Sequence, residues 1–236
     1  ITAGPNPNGS GRVLFIGDFG NNSPPTSLFT FPTVGGRRNQ VIYMVSEPSL
    51  TDTSVNLLQT LPIEFPTVSG TQANYDIEAM VYDSVAQQLV LITKDLNGVA
   101  TGSGGVSRIF TRSLDPAQSL VTEVATFDLR NRPLTPTPLV PYGFDRLVTG
   151  AALSSDGSVF VVRTYETVFR WVRSPNETWT QLFQRSPQVI DLIAEPQGEA
   201  IAFGNNNNDF FTLSESPDPF LGIPFSPGQL LRYTAS

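Results

Sequence analysis

Cysteine and histidine are both absent from the 236 residues, and lysine occurs once, at Lys94. Without cysteine there is no thiol nucleophile and no disulfide to staple the fold, which agrees with an extracellular place without requiring one. Without histidine there is no Ser-His-Asp relay, no imidazole general base and no zinc site of the usual kind. No run of 18 apolar residues occurs, so no segment is expected to cross a membrane as a helix. Basic residues do not cluster beyond Arg37-Arg38, and the net charge is -7. That balance argues against a nucleic-acid groove and against a polybasic membrane patch. No signal peptide is visible and the first residue is Ile1, so the expectation is either a leader already removed or a longer parent chain.

What the sequence has instead is punctuation. Nineteen glycines and 20 prolines suit many short strands joined by tight turns. Residues 75–95, YDIEAMVYDSVAQQLVLITKD, read as strand, turn and strand with carboxylates at both outer ends: Asp76 and Glu78 at the start, Asp95 at the close. The same grammar returns at residues 148–166 and 197–215, and in partial form at 1–18, where Asp18 ends the run. Residues 155–158, Ser-Asp-Gly-Ser, form the clearest hairpin signal. Residues 1–11 read as a loop, and residues 27–34, 55–65 and 179–184 read as strands. No segment of ten or more residues has a 3.6-residue apolar period, so the chain is read as all-β. The Pro-rich residues 133–141 read as an extended connection.

Alignment of the repeats places Asp76 with Thr149 and Gln197, Glu78 with Ala151 and Glu199, and Ala79 with Ala152 and Ala200. The pitch is uneven, as expected for units of four short strands with outer loops of variable length. Small residues on the innermost strand let such units crowd together, and radial repetition leaves few open edges. The predicted fold is a β-propeller, about four blades in one domain over residues 1–236.

The ordered motifs Gly17-Asp18-Phe19-Gly20-Asn21-Asn22, Asp76-Ile77-Glu78-Ala79, Ile92-Thr93-Lys94, Val148-Thr149-Gly150-Ala151, Arg163-Thr164-Tyr165 and Gln197-Gly198-Glu199-Ala200 span most of the chain. In this order they resemble a family of secreted six-bladed β-propellers, mostly uncharacterised bacterial members, related to the esterase-like phytase and strictosidine-synthase-like propellers. The resemblance implies a secreted domain and a ring of six blades. One or two blades that the family carries ahead of the segment resembling Ile1 are absent here. The domain is then N-terminally incomplete, or its ring is closed by partner material.

Six carboxylates, Asp18, Asp76, Glu78, Asp95, Glu199 and Glu215, fall at equivalent strand ends in the propeller reading. Converging carboxylates repel one another, and a hard cation such as Ca²⁺ relieves that repulsion. The alternative is that they cap strands or pair with Lys94 and Arg163. Lys94 and Arg163 are also the candidate anion-binding groups. Two functional readings follow. One is an extracellular interaction or scaffold domain with a protein or glycan partner and a structural cation in the central channel. The other is a cation-dependent phosphoesterase or lactonase using Glu78 or Glu199 as base. Sequons at Asn8 and Asn176 mark candidate glycosylation sites. Trp171, Trp179, Tyr142 and Tyr165 are candidates for stacking on sugars, with burial in the core the commoner fate of such residues.

Overall fold

Short runs of β-branched and aromatic residues, separated by Gly, Pro, Asn and Asp, favour strands closed by tight turns. The structure, a computed structural model, describes residues 1–20, 39–94, 104–132, 144–193, 195, 198–205, 207–214 and 230–234. The chain divides into two compact units, Ile1–Thr93 with Arg108–Val124, and Lys94–Ser107 with Ala125–Ser236.

In the first unit, β1 (Thr2–Pro5), β2 (Arg12–Asp18), β3 (Val41–Ser46) and β4 (Leu57–Pro62) form an antiparallel sheet in chain order. The loop expected over residues 1–11 therefore contains a strand, with Thr2 opposite Phe15 and Pro5 opposite Arg12. Proline is tolerated there because β1 is an edge strand and Pro5 is its last residue. The strand expected over residues 55–65 is shorter than read, and the one expected over 27–34 lies outside the described residues.

A small hairpin of β5 (Thr67–Val68) and β6 (Thr71–Gln72) precedes the second sheet. That sheet runs β7 (Ile77–Asp83), β8 (Gln88–Thr93), β9 (Val106–Ser113) and β10 (Thr122–Asp128), and the unit boundary passes through β9 and β10. Asp83 closes the β7–β8 turn by accepting from the backbone N–H groups of Val85 and Ala86. Val13, Phe15, Ile42, Met44, Leu89 and Leu91 are among the residues that fill the core of this unit, each no more than 2% exposed. Each such side chain contributes roughly 1.5–3 kcal/mol of transfer free energy. Arg112 on β9 is fully buried, and its guanidinium donates to the carbonyls of Pro62, Ser113 and Asp115. It thereby ties the end of β4 to the turn that leaves β9.

In the second unit, β11 (Val148–Leu153), β12 (Val159–Thr164), β13 (Thr167–Val172) and β14 (Gln188–Asp191) form one antiparallel sheet in chain order. β15 (Gly198–Phe203), β16 (Asp209–Ser214) and β17 (Leu231–Thr234) form another. The predicted hairpin joins β11 to β12: Gly157 N–H donates to Ser154 O at 2.8 Å, and Asp156 Oδ1 accepts from Ser154 Oγ, Ser158 N and Ser158 Oγ.

The strand expected over residues 179–184 is instead a helix, α1 (Trp179–Phe183). Thr178 caps it: its hydroxyl accepts from Gln181 N–H while the Gln181 side chain accepts from Thr178 N–H. Trp179 and Leu182, three residues apart, face inward together. Trp179 packs on Phe160 with ring centroids 4.9 Å apart, and Phe183 packs on Trp171 at 5.3 Å. The outer strand of this sheet is β14, which forms after the helix.

The first strand of three sheets carries one register shift at the same place: between Ile77 and Ala79 in β7, Val148 and Gly150 in β11, and Gly198 and Ala200 in β15. The bulged residues are Glu78, Thr149 and Glu199. The residues facing the position before each bulge are Thr93, Thr164 and Ser214. This corrects the repeat alignment. Thr149, rather than Ala151, stands where the other two strands place glutamate. Within each unit the first strands neighbour one another, β1 beside β7 and β11 beside β15. Meandering sheets in chain order with adjacent first strands are the blade pattern of a β-propeller, and the chain is an all-β protein of that class.

Candidate binding site

The bulges decide where the site's side chains go. An extra residue in one strand leaves the ladder and re-aims its side chain, which is why bulges recur beside functional sites. In the first unit, Glu78 occupies the bulge and is half-buried, and Asp76 just ahead of it is 7% exposed. Gly20 lies two residues beyond Asp18, which is exposed. Its φ of +95° suits glycine. A Cβ there would meet Ile77 O at 3.6 Å, Asp76 Oδ1 at 3.7 Å and Glu78 Oε1 at 4.0 Å. Two carboxylates and a carbonyl thus converge on this corner. Among the described residues, no group of three or more His, Cys, Asp or Glu side chains gathers as a metal would require. An ion held there would rest on backbone oxygens as well as on Asp76 and Glu78, a mixture that suits Ca²⁺. Asp95 and Glu215 lie outside the described residues.

In the second unit, Glu199 occupies the bulge of β15. Tyr165, which follows β12, donates its hydroxyl to Glu199 Oε1 at 3.1 Å. Lys94 Nζ lies 3.7 Å from the same oxygen and 5.3 Å from the centre of the Tyr165 ring. The Lys94 side chain is 10% exposed and the Glu199 side chain 29%. Burial pushes the Tyr165 phenol up to about 12; the Lys94 charge opposes that shift and the Glu199 charge adds to it.

Arg163 lies beneath this group and is fully buried. Nε donates to Thr164 O, Nη1 to Ala200 O and Nη2 to Tyr165 O, at 3.1, 2.9 and 3.4 Å. Its charge is matched by Glu195 Oε2 at 3.5 Å, and Glu195 Oε1 accepts from Thr212 Oγ1. Burial pulls the Arg163 guanidinium below its ordinary pKa, while the Glu195 charge raises it. Gly198 is glycine for want of space: a Cβ there would lie 1.9 Å from Arg163 Nη2. Thr149, on the bulge of β11, donates to Gly198 O at 2.9 Å. The arginine therefore grips main chain on both sheets of this unit.

The structure thus brings Lys94 and Glu199 together, and Asp76 and Glu78 together. Arg163 is placed among carbonyls. Sequence reasoning missed Glu195, whose one signal was an acidic residue set just ahead of the repeat motif. It also missed Tyr165 as a hydrogen-bond donor, having read it as a stacking or core aromatic; Trp171 and Trp179 are buried at 2% and 4% exposure. Tyr142 lies outside the described residues. The sequon residues Asn8 and Asn176 are both exposed.

No family model matches the chain, and no curated protein matches it in sequence. Among solved structures it is similar to the periplasmic gluconolactonase PpgL of Pseudomonas aeruginosa, with a TM-score of 0.43 and 9% identity. That likeness covers 99% of this chain and 56% of the other, so the chain spans little more than half the length of that protein. It is also similar to a chain of the COPII outer coat vertex on membranes, with a TM-score of 0.39, 8% identity, and coverage of 76% and 43%. No helix among the described residues is long and apolar enough to cross a membrane.

Proposed function

We propose that the chain is an extracellular interaction or scaffold domain, part of a six-bladed propeller completed by further blades of a longer chain or by a partner. The observation that carries this reading is the bulged first strand, which displays Glu199 at the surface while Lys94 and Tyr165 hold it in place. A side chain fixed in this way is a recognition element, because little freedom remains to be lost on binding. The exposure of Asn8 and Asn176 supports a glycosylated, secreted chain. In the same reading a Ca²⁺ ion stabilises the corner formed by Asp76, Ile77 O and Glu78.

The test combines turnover with stability. The purified chain is incubated with phosphate monoesters and with sugar lactones, with and without chelator, and its melting temperature is followed against Ca²⁺. The expected result is no turnover above blank, and a melting temperature that rises with Ca²⁺ and falls with chelator. Chelator-sensitive hydrolysis of either substrate class would overturn the reading in favour of a cation-dependent phosphoesterase or lactonase. A melting temperature indifferent to both additions would remove the ion alone.

A further inference from the structure

We propose that Glu199, positioned by Lys94 and Tyr165, is the acceptor of a binding site for neutral, hydroxyl-rich ligands such as sugars and other polyols. This rests on the interaction-domain reading and names its ligand class.

Three observations on one carboxylate lead there. Both contacts to Glu199 fall on Oε1, the phenol at 3.1 Å and the ammonium at 3.7 Å. Oε2 has no partner among the described residues, and 29% of the side chain is open to solvent. One oxygen is therefore committed inward and the other is available outward. The two groups that hold it are themselves buried, with 10% of the Lys94 side chain and 6% of Tyr165 exposed. They cannot leave for water without exposing Glu199's inner oxygen, so the outward oxygen keeps its aim.

Charge then selects among ligands. A cationic ligand approaching Oε2 meets the Lys94 ammonium a few ångströms behind it, which has already neutralised most of the attraction. An anionic ligand meets the carboxylate oxygen first and is repelled. A neutral hydroxyl escapes both costs and donates to an ionised acceptor, the stronger kind of hydrogen bond. The bulge contributes the geometry: it takes Glu199 out of the β15–β16 ladder and re-aims its side chain.

The experiment uses the whole chain and one sugar scaffold in three charge states. Glucose, galactose and mannose are the neutral members, with glucosamine and glucuronate as the charged ones. Binding is read by saturation-transfer NMR and titrated at millimolar concentration. The expected result is saturable transfer to at least one neutral sugar, weaker transfer to both charged ones, and at least tenfold weaker neutral binding in Glu199→Ala. Tyr165→Phe releases Oε1 while keeping the ring, and is expected to weaken neutral binding about threefold and to narrow the preference over glucosamine. If Glu199→Ala does not fold, as judged by Trp171 and Trp179 fluorescence, Glu199→Gln carries the test with an expected loss of several-fold.

No transfer to any neutral sugar, or tighter binding of a charged one, overturns the inference. Neutral binding unchanged in Glu199→Ala also overturns it, yet leaves the interaction reading standing with its site elsewhere. Hydrolysis of lactone or phosphoester fells the interaction reading independently of these titrations.

Discussion

Replacing Arg163 with methionine keeps an apolar stem of similar length and removes the charge. In the native protein the guanidinium bonds to the carbonyls of Thr164, Tyr165 and Ala200 and faces Glu195. The substitution leaves Glu195, 3% exposed, with Thr212 Oγ1 as its sole hydrogen-bond donor among the described residues. Breaking a buried pair from one side costs about 3–5 kcal/mol, most of it from the charge left behind. In a chain of this size that is a fall of roughly 6–20 °C in melting temperature. Glu195→Gln is the milder change: the amide oxygen still accepts from Thr212, and three carbonyls still solvate Arg163, so the expected cost is about 1–2 kcal/mol.

The decisive comparison is the double variant. In the Arg163→Met background, Glu195→Gln removes a stranded charge and is expected to raise stability, although alone it lowers it. The chain's two tryptophans, Trp171 and Trp179, both lie buried in the second unit, so urea unfolding followed by their fluorescence reports on the right part of the molecule. The reasoning fails if Arg163→Met costs less than about 1 kcal/mol, the worth of one ordinary hydrogen bond, or if the second substitution lowers stability in both backgrounds.

Two further outcomes follow from the same geometry. Gly198→Ala places a methyl group where Arg163 Nη2 lies, so it should destabilise the second unit by about 1–3 kcal/mol, the usual cost of overpacking, measurable by the same urea titration. The Asp156 carboxyl is held at about 2, below its ordinary 3.8, chiefly by Ser154 Oγ and then by Ser158 N–H and Oγ. A depressed carboxyl contributes stability that is present above its unfolded pKa and lost as pH falls through the folded one. The expected window is therefore pH 4 down to 2, and Asp156→Asn should flatten the melting-temperature profile across it.

Much of the fold was legible because hydrophobic alternation and turn residues act locally. The β7–β8 and β11–β12 hairpins lie where residues 75–95 and 148–166 placed them. The repeat register was harder. Aligning on alanine slipped the third sheet by two residues, which keeps every side chain on its original face and so leaves no trace in the apolar pattern. The bulge, a backbone property, is what fixes the true equivalence of Glu78, Thr149 and Glu199. Residues 179–184 misled because Trp, Thr, Leu and Phe suit strands. The Thr178–Gln181 capping box, which marks a helix start, was present in the sequence and outweighed that preference. In the site, Lys94 and Glu199 were visible as isolated charges. The roles of Tyr165 and Glu195 depend on contacts 34 and 32 residues distant in sequence, to Glu199 and Arg163, which no local pattern encodes.

Among the described residues, Arg163 grips its surroundings through main-chain oxygens, apart from Glu195. Every residue type carries that oxygen, so the identities of residues 164, 165 and 200 are irrelevant to the grip. The side chains that give the second unit its chemistry can therefore drift while the sheets stay joined. Two tasks that often constrain each other, holding a surface together and deciding what it binds, are at Tyr165 assigned to different atoms of one residue: its carbonyl accepts from Arg163 and its hydroxyl donates to Glu199. A lineage built on this arrangement can change what it recognises one side chain at a time, and a designer can do the same at Tyr165 and Glu199 with Arg163 left untouched.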